Sequence, residues 1–156
     1  INFSHKFENI SSKEWDKVLN LNLRSIFILT RLVIKEMKKN KAGKIVNISS
    51  IAGRHRSLVS GSHYVASKAA LIGLTKQLAY EVGEFNINVN AVCPSQTATD
   101  MLLESMSNEQ QKNLIENIPL NRIATIKDQV GPILFLCSDA ARYITGTFID
   151  VNGGQI

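Results

Sequence analysis

Apolar residues recur at helical intervals along the first quarter of the chain. Trp15, Val18, Leu19, Leu23, Ile26, Phe27, Val33, Ile34 and Met37 keep that rhythm to about Asn40. Ser11 precedes the run and Glu14 follows it by three, the pattern of a capping box. Gly43 falls where a helix often ends on a glycine. The pattern then changes to a short apolar run, Lys44 to Ser49, which predicts a buried strand, followed by a loop to about Gly61. Residues 62–84 are helical again, and Ala66, Ala69, Ala70, Gly73 and Ala79 allow close packing. Asn88 to Cys93 predicts a second buried strand, stopped by Pro94. Residues 100–117 read as a polar helix with little apolar face, Lys127 to Ser138 as a better one, and Thr147 to Val151 as a last strand before Gly153 and Gly154. Strands apolar rather than alternating, interleaved with long helices, predict an α/β fold built on a parallel sheet.

Composition narrows the possibilities. A chain of 156 residues, 44% hydrophobic and 20% charged, has the make-up of one soluble globular domain with a real core. The most apolar helix carries Arg24, Arg31 and Lys35, so no membrane span is expected. Cys93 and Cys137 both lie in apolar segments and read as reduced thiols packed in a cytoplasmic core. The net charge is +5, but seven of the eighteen basic residues fall between Arg24 and Lys44, mostly where a helix ends and cations are favourable without a ligand. No arginine-rich tract or aromatic–basic interleaving predicts a nucleic-acid partner. His5, His55 and His63 lack ligand spacing, so no metal is expected.

The candidate chemistry lies at Tyr64-Val65-Ala66-Ser67-Lys68, fourteen residues after the pair Ser49-Ser50 that closes the first strand. On a helix Tyr64 and Lys68 share a face. A nearby cation favours phenolate, which would draw the Tyr64 phenol toward working pH. Such a tyrosine can pass a proton to or from a carbonyl oxygen while hydride moves at carbon. Ser50, at a strand end, can hydrogen-bond that oxygen. With three Tyr and twelve Lys in the chain, this spacing alone is also what a helix surface without chemistry produces.

Other segments supply the missing weight. Asn22-Leu23 lies in the first helix, Ile48-Ser49-Ser50-Ile51-Ala52-Gly53 ends a strand, and Tyr64-x-x-x-Lys68-Ala69-Ala70-Leu71 opens a helix. Asn88-Val89-Asn90-Ala91-Val92-Cys93-Pro94, Thr97-Ala98-Thr99-Asp100-Met101, Tyr143-Ile144-Thr145-Gly146 and Val151-Asn152-Gly153-Gly154 follow in order. In this ordered set the chain resembles the short-chain dehydrogenase/reductase family over essentially all its length. The resemblance implies a Rossmann-like, doubly wound parallel sheet, of which residues 1–156 would be the C-terminal portion of a single domain, strands 5–7 with their helices. It implies Tyr64 as acid/base, Lys68 lowering its pKa and holding the nicotinamide ribose, and Ser50 orienting the substrate oxygen, with Ser49 a rival. Asn22 would interrupt its helix and hold a water that links Lys68 to solvent, with Asn20 a rival. Pro94, Ser95, Thr97 and Thr99 would flank the nicotinamide, although a family glycine is replaced by Ser95, and Thr99 equally suits a helix N-cap.

The resemblance also implies NAD or NADP as cofactor, a small carbonyl or alcohol substrate, and a homotetramer or homodimer. Ile28, Leu29 and Leu32 are apolar surface in excess of what one sheet face covers. The glycine-rich pyrophosphate turn and the residues choosing between NAD and NADP are absent from this numbering, which suggests a longer polypeptide. The nearest resemblance is to 3-oxoacyl-acyl-carrier-protein reductases and to sugar and polyol dehydrogenases. The cationic loop from Arg54 to His63 suits a polyhydroxylated or anionic substrate. A non-catalytic half serving as an assembly module is the competing reading.

Overall fold

A computed structural model describes residues 1–57, 59–104 and 106–156. Leu58 of the cationic loop, Ser105 of the polar stretch and the side chain of Met101 lie outside the described residues. The first rod comprises helix α1 (Ser12–Leu19), a π-helical turn (Asn20–Arg24) and helix α2 (Ser25–Asn40). Strand β1 (Gly43–Ile48), a 3₁₀ turn (Ile51–Gly53) and helix α3 (Ser62–Val82) follow, then strand β2 (Ile87–Pro94). Short helices α4 (Asp100–Glu104) and α5 (Asn108–Glu116), helix α6 (Ile126–Cys137) and strand β3 (Phe148–Val151) complete the chain.

The three strands are parallel in the order β1–β2–β3, with Lys44 opposite Asn88 and Ala91 opposite Phe148. Side chains alternate across β2, so it serves two cores. Ile87 and Val89 pack with Ala79 and Val82 of α3, supported by Ile34, Met37 and Ile45. Val92 packs on the other face with Leu136 of α6 and Ala141. Helices on both faces of a parallel sheet make this the α/β, doubly wound arrangement that the apolar strands imply. The buried pair Asn88 and Asn90 ties the loop ahead of β3 to the sheet: their side-chain amides donate to the carbonyls of Arg142 and Ile144, and Asn90 Oδ1 accepts from the Thr147 N–H. A second buried link joins β1 to α3, where Asn47 Nδ2 donates to Thr75 Oγ1 at 2.9 Å.

Several boundaries differ from the sequence reading. The left-handed residue that ends α2 is Lys41 (φ 50°), not Gly43. Gly43 opens β1, and a Cβ there would fall 2.7 Å from Met37 Sδ, so close packing rather than backbone freedom selects glycine. Only half of the capping box at Ser11 forms: its hydroxyl accepts from the Glu14 N–H, while the Glu14 carboxylate turns to His5 and His63. The single helix expected over 100–117 is two, because Ser107 and Gln110 form their own capping box and start a new one. Cys93 is buried but Cys137 is exposed, correcting the expectation that both are packed; neither is in a disulfide. No helix among the described residues is long and apolar enough to cross a membrane.

Candidate active site

The C-terminal ends of parallel strands gather the candidate residues on one side of the sheet, where open α/β sheets place their ligands. Ser49 and Ser50 leave β1, Pro94 and Ser95 leave β2, and Asn152 follows β3. The two serines separate by direction. Ser49 is buried and its hydroxyl donates to the Lys68 carbonyl at 2.8 Å, so it fastens strand to helix. Ser50 is in extended backbone; its Oγ accepts from the Ala52 N–H at 3.1 Å, and its hydroxyl lies near enough to the Tyr64 phenol to favour the phenolate. Ser50, not Ser49, therefore reaches the phenol.

Tyr64 and Lys68 sit one turn apart near the start of α3, both half-buried. Lys68 Nζ donates to the Ile48 carbonyl at 2.8 Å and lies 5.8 Å from the centroid of the Tyr64 ring. Its cation does not draw the phenol down, as the spacing alone leads one to expect. Burial pushes Tyr64 above its ordinary value, with the Ser50 hydroxyl offsetting part of that rise, because the ammonium is turned to a carbonyl instead of the phenol oxygen. Burial also pushes Lys68 below its ordinary value. The phenol is thus held protonated, as a proton donor.

Asn22 is buried inside the π-helical turn, whereas Asn20 is exposed and bonded weakly to Arg24. Asn22 Nδ2 donates to the Ile1 carbonyl at 2.8 Å and to Ser67 Oγ at 3.2 Å, and Ser67 Oγ donates to the Tyr64 carbonyl at 2.7 Å. Ser67 is a link that motif reading passes over, although it lies within the Tyr–Lys interval. Asn22 and Lys68 also line one pocket of about 300 Å³ with Ile48 and Leu71.

The β2 side is organised locally. Pro94 is the last paired residue of β2, and the Ser95 N–H donates to the Val151 carbonyl at 3.1 Å. Thr97 bridges to Ala124, and its hydroxyl donates to the Ser95 carbonyl at 3.3 Å. Thr99 Oγ1 accepts from the Leu102 N–H at 3.3 Å and so caps α4. Between Ser95 and Thr97, the buried Gln96 Oε1 accepts no hydrogen bond among the described residues. Arg54, from the cationic loop, is already engaged: it makes a two-pronged ion pair with Asp150 and lies 4.1 Å from the Phe148 ring centroid.

A hydroxyl, a phenol and an ammonium thus lie together near the strand ends of a doubly wound sheet. The family model for enoyl-(acyl carrier protein) reductase matches residues 1–155. The chain is 42% identical over 151 residues to the 3-oxoacyl-[acyl-carrier-protein] reductase FabG of Rickettsia felis, covering 94% of this chain and 60% of that protein. Its fold superposes with a TM-score of 0.96 on the 3-oxoacyl-[acyl-carrier protein] reductase of Brucella melitensis, at 33% identity over all of this chain and 60% of that one. A 4-hydroxyisoleucine dehydrogenase mutant complexed with NADH and succinate matches with a TM-score of 0.93 at 39% identity, over 99% of this chain and 64% of that one. The chain belongs to the short-chain dehydrogenase/reductase family. It spans about 60% of the length of these relatives.

Proposed function

We propose that the protein is an NAD- or NADP-dependent oxidoreductase that interconverts a ketone and a secondary alcohol. The observation that carries this reading is the convergence of Ser50, Tyr64 and Lys68, with the Ser50 hydroxyl beside the Tyr64 phenol at the end of β1. In the reducing direction Tyr64 donates its proton to the carbonyl oxygen, and a phenol held protonated by burial is suited to that role. Ser50 holds the same oxygen and stabilises charge that gathers on it. Lys68 replaces the proton on Tyr64, and Asn22, whose pocket it shares, holds the water that connects Lys68 to solvent.

The bound nicotinamide supplies or accepts the hydride. The residues present fit it: among the described residues Gln96 Oε1 is a buried acceptor without a partner, suited to an amide donor, within the stretch Pro94, Ser95, Thr97 and Thr99. Tyr64 and Lys68 offer hydroxyl and ammonium to the adjoining ribose. The NADH complex of the 4-hydroxyisoleucine dehydrogenase supports the cofactor class.

A 3-oxoacyl thioester is the favoured substrate. It is the substrate class named for the Rickettsia and Brucella relatives, and engagement of Arg54 by Asp150 removes much of the argument for an anionic sugar. Sugar and polyol ketones remain the second reading, since His55 and Arg56 are exposed beside the site. We place the enzyme in the cytoplasm as a homotetramer or homodimer, because Ile28, Leu29 and Leu32 of α2 are 46%, 60% and 65% exposed and need cover.

The test is reduction of 3-oxoacyl thioesters and ketoses with NADH and NADPH by the full chain and its Tyr64→Phe variant. The variant should lose about 10²–10⁴-fold in turnover with an unchanged melting temperature. A variant retaining more than half of the parent rate removes Tyr64 from the chemistry. A parent inactive on every carbonyl tested leaves the assembly-module reading.

A further inference from the structure

Helix α3 begins without a side-chain cap: its N-cap is Gly61, whose carbonyl accepts from the Tyr64 N–H at 3.1 Å and the Val65 N–H at 3.2 Å. His63 adds a side-chain acceptor. Its ring is completely buried, and Nδ1 accepts from the backbone N–H of Tyr64 at 3.0 Å. The other ring nitrogen, Nε2, donates to Glu14 Oε1 of α1 at 2.8 Å. The carboxylate can only accept, so it fixes the tautomer with the proton on Nε2 and leaves Nδ1 free to accept. His5 donates to the second oxygen of the same carboxylate, also at 2.8 Å.

Packing holds the ring in this pose. Phe3 lies beside it, ring centroids 6.2 Å apart, and the Phe3 carbonyl accepts from the Gly61 N–H at 2.7 Å. A Cβ on Gly61 would stand 2.5 Å from His63 Cε1 and 2.8 Å from Nδ1, so glycine there makes room for the imidazole. The first turn of α3 is therefore secured through a side chain one residue from the phenol.

We propose that His63, oriented by Glu14, is a positioning residue of the active site: it sets the first turn of α3 so that the Tyr64 hydroxyl stays beside Ser50. This rests on the proposed role of Tyr64. The imidazole touches neither substrate nor reacting atoms; it acts through the Tyr64 backbone. A Ser50–Tyr64 pair moved by about 1 Å loses turnover on the order of a hundredfold.

The experiment compares two substitutions of the full chain. His63→Asn retains an acceptor at the Nδ1 position; His63→Leu fills the cavity without one. His63→Asn should keep kcat within about threefold of the parent, and His63→Leu should fall tenfold or more. In parallel, the ¹³Cζ resonance of labelled Tyr64, assigned with Tyr64→Phe, should shift in His63→Leu and hold in His63→Asn. This resonance reads the phenol's surroundings whether or not the protein reduces any carbonyl, so an inactive parent would sink the functional reading and still decide the positioning. Equal kcat and equal resonance in the two variants overturn the proposal. Failure of His63→Asn to fold overturns it too, because the imidazole would then be a core residue and not a guide for Tyr64.

Discussion

Gly53 offers the sharpest test of how the site is assembled. It ends the 3₁₀ turn that follows Ser50, and this turn rests on the backbone of α3 at Lys68. A Cβ at Gly53 would lie 2.5 Å from the Lys68 carbonyl carbon, 2.7 Å from its oxygen and 2.8 Å from the Ala69 nitrogen. These are main-chain atoms of a helix, so no rotamer relieves the overlap. Restoring the 3.4 Å of ordinary contact requires about 0.9 Å of separation between turn and helix. Overpacking of this kind costs about 1–3 kcal/mol. For a domain of this size that lowers the melting temperature by roughly 2–12 °C. The effect on the site is larger than the effect on stability. Ser50 rides on the turn and Tyr64 on the helix, so the same separation moves their hydroxyls apart. A misplacement of about 1 Å lowers turnover on the order of a hundredfold. Gly53→Ala should therefore remain folded by circular dichroism, melt several degrees lower, and show kcat about a hundredfold down in carbonyl reduction. A variant within about 1 °C of the parent melting temperature, with kcat within about twofold, would refute the seating of this turn on α3.

Two further tests address the scaffold. Thr75→Val removes the acceptor for the Asn47 amide in the buried link between β1 and α3 and should cost about 1–3 kcal/mol. A denaturant midpoint equal to the parent's would refute this, and Thr75→Ser should recover most of the loss. Asp128 accepts from Arg122 at 2.6 and 2.9 Å and from Thr125, and these bonds, that of Arg122 foremost, hold its carboxyl well below the usual range. Because the folded-state value is below the unfolded one of about 3.9, the stability it contributes is present above about pH 4 and fades as pH falls toward the folded-state value. The melting-temperature gap between parent and Asp128→Asn should accordingly be full at pH 7 and narrow at pH 3; a gap independent of pH would contradict the assignment.

Much of this was legible in the chain because it depends on periodicity and short spacing. The apolar rhythm of Val18 to Met37 and the small residues of α3 located the helices, and four-residue spacing put Tyr64 and Lys68 on one face. Features that depend on handedness or long-range contact were not legible. Periodicity carries no information on the left-handed turn at Lys41. On α6 it misplaces Cys137, because Val130, Leu134 and Phe135 are exposed as well and no polar face marks the outside. The Glu14–His63 bond spans 49 residues and the Arg54–Asp150 pair 96, beyond any local pattern. The break before α5 was readable: Ser107 followed three residues later by Gln110 is a capping-box signature within an otherwise polar run. Burial explains why Tyr64 titrates opposite to expectation; spacing gives the distance to a cation but not the direction the ammonium faces.

Parallel pairing also sets a clock on synthesis. Lys44 lies opposite Asn88, and Ala91 opposite Phe148, so 44 and 57 residues separate the partners in each pair. A chain that grows by roughly 5–20 residues per second leaves β1 waiting about 2–9 s for β2, and β2 somewhat longer for β3. Through each interval a strand carrying Ile45 and Val46, or Val89 and Val92, waits for the later strand that pairs with it on one side. The α3 helix, made during the first wait, is an element able to shelter β1 before β2 pairs with it, through the Asn47–Thr75 and Ser49–Lys68 bonds that join them. Nascent chains halted before residue 87 should therefore bind a hydrophobic-strand chaperone, and those carried past residue 151 should release it.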